Sequence, residues 1–138
     1  MKNITIIVPV FNESEVIPEF SRVTKEILTK SSGRYRFEFL FIDDGSTDST
    51  NEQLVECFRD EAFRILKLSR NFGKEAALSA GIDNATGDAA IIMDVDLQDP
   101  PEIIDQFLEQ WQHGYQVVYG VRGVRKEDSL TKRISAGW

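Results

Sequence analysis

Ile4-Thr5-Ile6-Ile7-Val8 runs without a break into Pro9-Val10-Phe11-Asn12-Glu13. The first five residues are continuous and mostly β-branched, the pattern of a strand buried on both faces. The next five change abruptly to turn-forming and polar residues. The same change occurs twice more. Phe37 to Ile42 gives way to Asp43-Asp44-Gly45-Ser46-Thr47-Asp48. Ala89 to Met93 gives way to Asp94-Val95-Asp96-Leu97-Gln98-Asp99. Three apolar runs, each ending in a polar cluster, predict strands that deliver chemistry from one end.

Helical periodicity fills the intervals. Val16, Phe20, Val23, Ile27 and Leu28 recur at helical spacing, with Pro18 tolerable in a first turn and Ser32-Gly33 as a stop. Ser46 or Thr47 is expected to cap a second helix carrying Leu54, Val55 and Phe58. Phe63 to Leu68 reads as a third strand. Lys74 to Ala85 reads as a helix with a small-residue face of Ala77, Ala80 and Gly81, stopped at Thr86-Gly87. Asp99-Pro100-Pro101-Glu102 has the form of a helix start, and Ile103, Ile104, Phe107, Leu108 and Trp111 supply that helix's apolar stripe. Val117 to Val121 is expected as a fifth strand. There is no internal repeat, low-complexity tract or linker, so residues 1–138 are expected to form one domain. Strand–helix alternation predicts an α/β fold, a mostly parallel sheet with helices on both faces. Ligands in such sheets bind beyond the carboxyl ends of the strands, where the three clusters should meet.

Composition removes several functions. Sixteen Lys and Arg against 23 Asp and Glu give a net charge of −7, a field that repels nucleic acid. One cysteine (Cys57) and one histidine (His113) cannot build a zinc cluster, and a lone cysteine makes no internal disulfide, which fits a reducing compartment. No apolar run reaches the ~18 residues of a spanning helix. Met1-Lys2-Asn3 passes straight into the first strand, so no signal peptide is expected and the location predicted is cytoplasmic.

The clusters suggest a division of labour. In an extended segment Asp94 and Asp96 point the same way. Hard divalent cations take oxygen ligands, so Asp94, Asp96 and the Gln98 amide form half a shell for Mg²⁺ or Mn²⁺ with room left for a diphosphate. The competing reading is turn and capping chemistry, strongest for Asp99. Asp43 and Asp44 can accept hydrogen bonds from a nucleobase imide or a ribose hydroxyl, or can simply cap a turn. Glu13 is as compatible with a helix dipole as with a ligand. Ser69-Arg70-Asn71-Phe72-Gly73-Lys74 is a donor-rich loop opening a helix, suited to an anion. Gly120 and Arg122 follow the fifth strand at the same edge. Arg125, Lys126, Lys132 and Arg133 form a basic run that is either a solvated face or a grip on an anionic acceptor.

Val8-Pro9-Val10-Phe11-Asn12-Glu13, Asp43-Asp44-Gly45-Ser46-Thr47-Asp48, Ser69-Arg70-Asn71-Phe72-Gly73 and Met93-Asp94-Val95-Asp96-Leu97-Gln98-Asp99-Pro100 together resemble glycosyltransferase family 2, with its Rossmann-like GT-A nucleotide-diphospho-sugar transferase fold. The Leu-Gln-Asp-Pro extension and the Asn-Phe-Gly loop are similar to the polyprenyl-phosphate branch, that of the dolichyl-phosphate mannose synthases and bactoprenol glucosyltransferases. The resemblance covers nearly the whole chain. It implies inverting transfer of a sugar from a nucleotide-sugar, UDP-glucose-like in preference to GDP-mannose, to a lipid phosphate. It implies a nucleotide-sugar site of Pro9, Phe11, Glu13, Asp43, Asp44, Gly73, Lys74, Asp94 and Val95. It implies Asp94, Asp96 and Gln98 around Mg²⁺ or Mn²⁺, and Arg122, Arg133 and Ser135 on the acceptor phosphate, with Asp94, Asp96 and Arg122 as the catalytic set. It also implies that relatives continue past Trp138 into further catalytic structure and membrane helices. The expectation is therefore an N-terminal catalytic portion of a protein working at the cytoplasmic face of a membrane. Two other outcomes stay open: nucleotide-sugar binding without turnover, and transfer to a glycan acceptor in polysaccharide synthesis. A phosphohydrolase of the haloacid-dehalogenase type also uses an Asp-x-Asp pair, but normally after its first strand and without a residue like Gln98 following.

Overall fold

The computed structural model describes residues 1–96 and 103–112. Its elements run β1 (Lys2–Val10), α1 (Ile17–Thr29), β2 (Tyr35–Asp43), α2 (Thr50–Phe58), β3 (Phe63–Lys67), α3 (Lys74–Asn84), β4 (Ala89–Ile92) and α4 (Ile103–Gln112). All three strand pairings are parallel, in the order β3-β2-β1-β4. The α/β fold is thus as expected. The predicted fifth strand and the Asp99 cap lie outside the described residues.

The order reverses direction at β1. Chain growth moves outward from β1 through β2 to β3, then returns to the other side of β1 for β4. That return sends α3 to the opposite face from α1 and α2. On one face Phe20 of α1 meets Phe39 and Phe41 of β2 at 6.4 Å between ring centroids. Phe58 of α2 closes the group at 4.8 and 4.9 Å from the same two rings. Aromatic pairs at such distances add about 0.5–1.5 kcal/mol beyond the area they bury. On the other face the small residues of α3 allow close approach. Ala77 is fully buried, and a methyl group placed on Gly81 would stand 2.5 Å from Ile7 Cγ2. Ile4, Ile6, Ile7 and Val8 of β1 are all completely buried, which is why that strand reads as an unbroken apolar run.

Helix α2 departs from the local reading. It begins at Thr50 with Ser49 at the cap position, later than the Ser46 or Thr47 cap expected. Those two residues are taken by a longer-range partner: the Asn12 N–H donates to Ser46 Oγ at 2.8 Å, and Asn12 Oδ1 accepts the Thr47 N–H at 2.8 Å. Asp48 supplies the cap instead, accepting the Thr50 N–H at 2.9 Å. Its carboxyl is held below its ordinary value, first by the hydrogen bond from the Thr50 side chain. On this helix Leu54 and Phe58 are fully buried, whereas Val55 is 49% exposed.

Candidate nucleotide-sugar site

In a parallel sheet whose strand order reverses, a crevice opens beyond the carboxyl ends at the point of reversal. Here that point lies between β1 and β4. A cavity of about 410 Å³ occupies it. Pro9, Phe11 and Glu13 enter from the end of β1, Asp44 from β2, Gly73 and Lys74 from the start of α3, and Asp94, Val95 and Asp96 from the end of β4. Eight of the nine residues expected around a nucleotide-sugar are therefore brought together, with Asp96 beside them. The exception is Asp43. Its carboxylate turns away to α2, accepting the Ser46 N–H at 2.9 Å and Asn51 Nδ2 at 2.6 Å. Successive residues at a strand end face opposite sides of the sheet, so Asp43 and Asp44 diverge. Val10, Asn71 and Ala77 also line the cavity. Ala77 stands one helical turn beyond Gly73, a spacing that sequence could have flagged. Gln98, Arg122, Arg133 and Ser135 lie outside the described residues.

Asp94 and Asp96 do share the cavity, by a different geometry from the one expected. Strand β4 ends at Ile92, and residues 95 and 96 form a turn rather than an extended segment. Asp94 is mostly enclosed, and its Oδ1 lies 2.6 Å from Lys74 Nζ. The rims are tied together before any ligand arrives. The Asp44 N–H donates to the Val10 carbonyl at 2.9 Å, and the Glu13 N–H donates to Thr50 Oγ1 at 2.8 Å. Asn12 holds its cross-loop bonds at φ 52°, a left-handed conformation that asparagine tolerates better than most residues.

The field inside is acidic. Among the described lining residues Glu13, Asp44, Asp94 and Asp96 are balanced by Lys74 alone. Burial, then the charges of Asp96 and Asp94, push the Glu13 carboxyl above its ordinary value, against a smaller pull from Lys74. A raised value in the folded state means that ionised Glu13 costs stability at neutral pH. That cost disappears as pH falls through the raised value, and stability is fully recovered below the unfolded value near ~4.3. Glu13→Gln is accordingly expected to melt slightly higher than the parent at pH 7 in chelator, with the difference closing by about pH 4. Thermal melts at both pH values check this; an equal gap at the two would refute it.

A doubly charged diphosphate would be repelled from such a cavity unless a cation shared it. Among the described lining residues the donor set suits a hard divalent ion: carboxylate oxygens, no sulfur and no imidazole. Among the described residues no three His, Cys, Asp or Glu side chains converge tightly enough to hold an ion by themselves. Two carboxylates fit an ion that keeps water and substrate oxygens for its remaining positions, as Mg²⁺ does.

Residues 5–136 match the family profile described as "Glycosyl transferase family 2". The chain belongs to glycosyl transferase family 2. A prophage bactoprenol glucosyl transferase homolog of Escherichia coli is 46% identical over 137 residues, covering 98% of this chain and 44% of that protein. Among solved structures, the mannosyltransferase PcManGT of Pyrobaculum calidifontis, in complex with GDP-Man and Mn²⁺, superposes with a TM-score of 0.60 at 26% identity, over 78% of this chain and 31% of that one. S. aureus TarS 1-349 in complex with UDP gives a TM-score of 0.54 at 27% identity, over 78% of this chain and 33% of that one. The GT-A fold of these transferases is the fold seen here. The chain spans less than half the length of the curated relatives it matches.

Proposed function

We propose that this family 2 chain binds a nucleotide-sugar, UDP-glucose-like in preference to GDP-mannose, and forms the donor half of an inverting transfer to a polyprenyl phosphate. The observation that carries the reading is the acidic pair Asp94 and Asp96 in one cavity with Pro9, Phe11 and Glu13. The bactoprenol-related name of a relative supports the lipid acceptor. The same relative supports placing the acceptor at the cytoplasmic face of a membrane; among the described residues no helix is long and apolar enough to cross one.

Pro9 and Phe11 form the apolar wall on which the nucleoside rests, and Glu13 closes its rim. Gly73, having no side chain, lets the donor approach the loop backbone closely, and Lys74 gives an ammonium to the diphosphate. Asp94 and Asp96, with Gln98, would hold Mg²⁺ or Mn²⁺. That ion supplies charge neutralisation to the departing diphosphate. Arg122, with Arg133 and Ser135, is assigned to the acceptor phosphate, where a guanidinium offers planar two-point capture. A phosphate is already ionised near neutral pH, so this chain needs no strong base to activate it.

Calorimetric titration of the chain with UDP, UDP-glucose, GDP and GDP-mannose, each in Mn²⁺ and in chelator, tests the donor reading. The expected result is binding that requires Mn²⁺ and favours the uridine pair. Tighter binding of the guanosine pair would overturn the donor choice, and heat from none of the four would overturn the nucleotide site. Transfer to a polyprenyl phosphate by the full-length protein, lost in Arg122→Ala with donor affinity intact, tests the acceptor half.

A further inference from the structure

Asp44 lines the cavity, yet both of its carboxylate oxygens are engaged by one loop. The Phe72 N–H donates to Oδ1 at 2.8 Å. The Gly73 N–H and Asn71 Nδ2 donate to Oδ2 at 2.9 and 3.1 Å. Asn71 Nδ2 also reaches the Asp44 carbonyl at 3.2 Å. Asp44 is itself only 4% exposed, and its N–H is held by Val10. The loop it grips leads directly into α3: Gly73 is the cap residue, at φ 106°, and Lys74 is the first helical residue. Lys74 Nζ in turn stands 2.6 Å from Asp94 Oδ1. One line of fixed contacts therefore joins β1, Asp44, the loop, Lys74 and Asp94.

We infer that Asp44 is a positioning residue, which pins the backbone of Phe72 and Gly73 and the side chain of Asn71, and through them sets Lys74 against the phosphate side of the cavity. This rests on the nucleotide-sugar reading and deepens it. The two conceivable roles of Asp44 separate by ligand. A hydrogen bond from Asp44 to a base or ribose matters for UDP and not for pyrophosphate, which has neither. A role through Lys74 is felt by both.

The test titrates pyrophosphate and UDP, in Mn²⁺, into the parent chain, Asp44→Asn, Lys74→Ala and the double variant. Asparagine places an amide N–H₂ where backbone N–H groups need an acceptor. Asp44→Asn is expected to weaken pyrophosphate and UDP by a similar factor, about tenfold, the low end for residues that support a ligand-binding group. In the Lys74→Ala background the same substitution is expected to add nothing, because both act on one contact. Loss of UDP affinity with pyrophosphate unchanged would overturn the inference in favour of direct nucleoside contact. Additive losses, or a lower melting temperature with both affinities intact, would also overturn it. A parent chain that binds neither ligand would overturn the site reading itself, and the positioning role with it. Should Asp44→Asn not fold, Asn71→Ala removes one side-chain donor and is expected to weaken pyrophosphate while speeding hydrogen exchange at the Phe72 and Gly73 amides; unchanged pyrophosphate binding there would overturn the inference.

Discussion

Asp96→Asn is expected to lower nucleoside-diphosphate affinity in Mn²⁺ by roughly 100-fold or more, and to leave affinity in chelator unchanged or slightly raised. The asymmetry follows from the charges. Among the described residues four acidic side chains and one lysine line the cavity, so a diphosphate entering alone meets net repulsion from them. Two unit charges at ~4 Å interact with about 1 kcal/mol in water and about 4 kcal/mol near a protein surface, enough to decide binding either way. Asparagine keeps the size of the side chain and deletes its charge. With the ion absent, that removes a repulsive group and helps the ligand. With the ion present, it removes a ligand; even residues that merely support metal ligands cost about 10- to 100-fold. Titration of UDP into parent and variant, with Mn²⁺ and with chelator, reads both arms. An equal loss in the two would mean that Asp96 touches the nucleotide without an ion.

Gly45→Ala is expected to destabilise the fold by about 3 kcal/mol and to abolish nucleotide binding at the same time. Gly45 adopts φ +87°, and a Cβ there would lie 2.6 Å from the Asn71 nitrogen and 2.7 Å from the Arg70 carbonyl carbon. Both are backbone atoms, so no side chain can swing aside. The left-handed conformation costs a non-glycine residue about 1–2 kcal/mol, and forcing packed backbone apart about 1–3 kcal/mol more. The loop displaced is the one that Asp44 grips. In a domain of this size the melting temperature should fall by on the order of 10 °C. Gly33→Ala is the control: nothing lies within 4 Å of its Cβ position and its φ is not positive, so it should be neutral. Matching urea midpoints for the two variants would refute the argument.

The sheet was legible in the sequence because β1, the second half of β2 and most of β4 are buried and nearly pure in apolar residues. The cavity was legible because polar clusters follow those strands at once. Glu13, Asp44, Asp94 and Asp96 follow from that rule, Lys74 from the donor-rich loop that opens α3, and the roles of Pro9 and Phe11 from the family resemblance. What local reading could not see was competition at long range. Ser46 and Thr47 have the chemistry of helix caps, but Asn12, 34 and 35 positions earlier, takes them. Asp43 and Asp44 look like a pair in one dimension and are separated by the pleat in three. The grip of Asp44 on residues 71–73 joins groups 27 to 29 positions apart, and nothing in either segment announces the other.

The position of β1 at the point of reversal also governs how the protein assembles. β1 pairs with β2 in the register Ile4↔Phe37, but its other edge waits for Ile4↔Ala89. Closing that second pairing brings together segments separated by most of the described chain, an entropic cost that must be met before any contact repays it. Asp94 and Asp96 lie just beyond β4, so their arrival at the cavity is tied to this long-range closure. During synthesis a nascent chain can build the Phe20–Phe39–Phe41–Phe58 cluster while the far edge of β1 is still bare. Topology therefore leads one to expect the acidic corner to form late, after β1 has found β2.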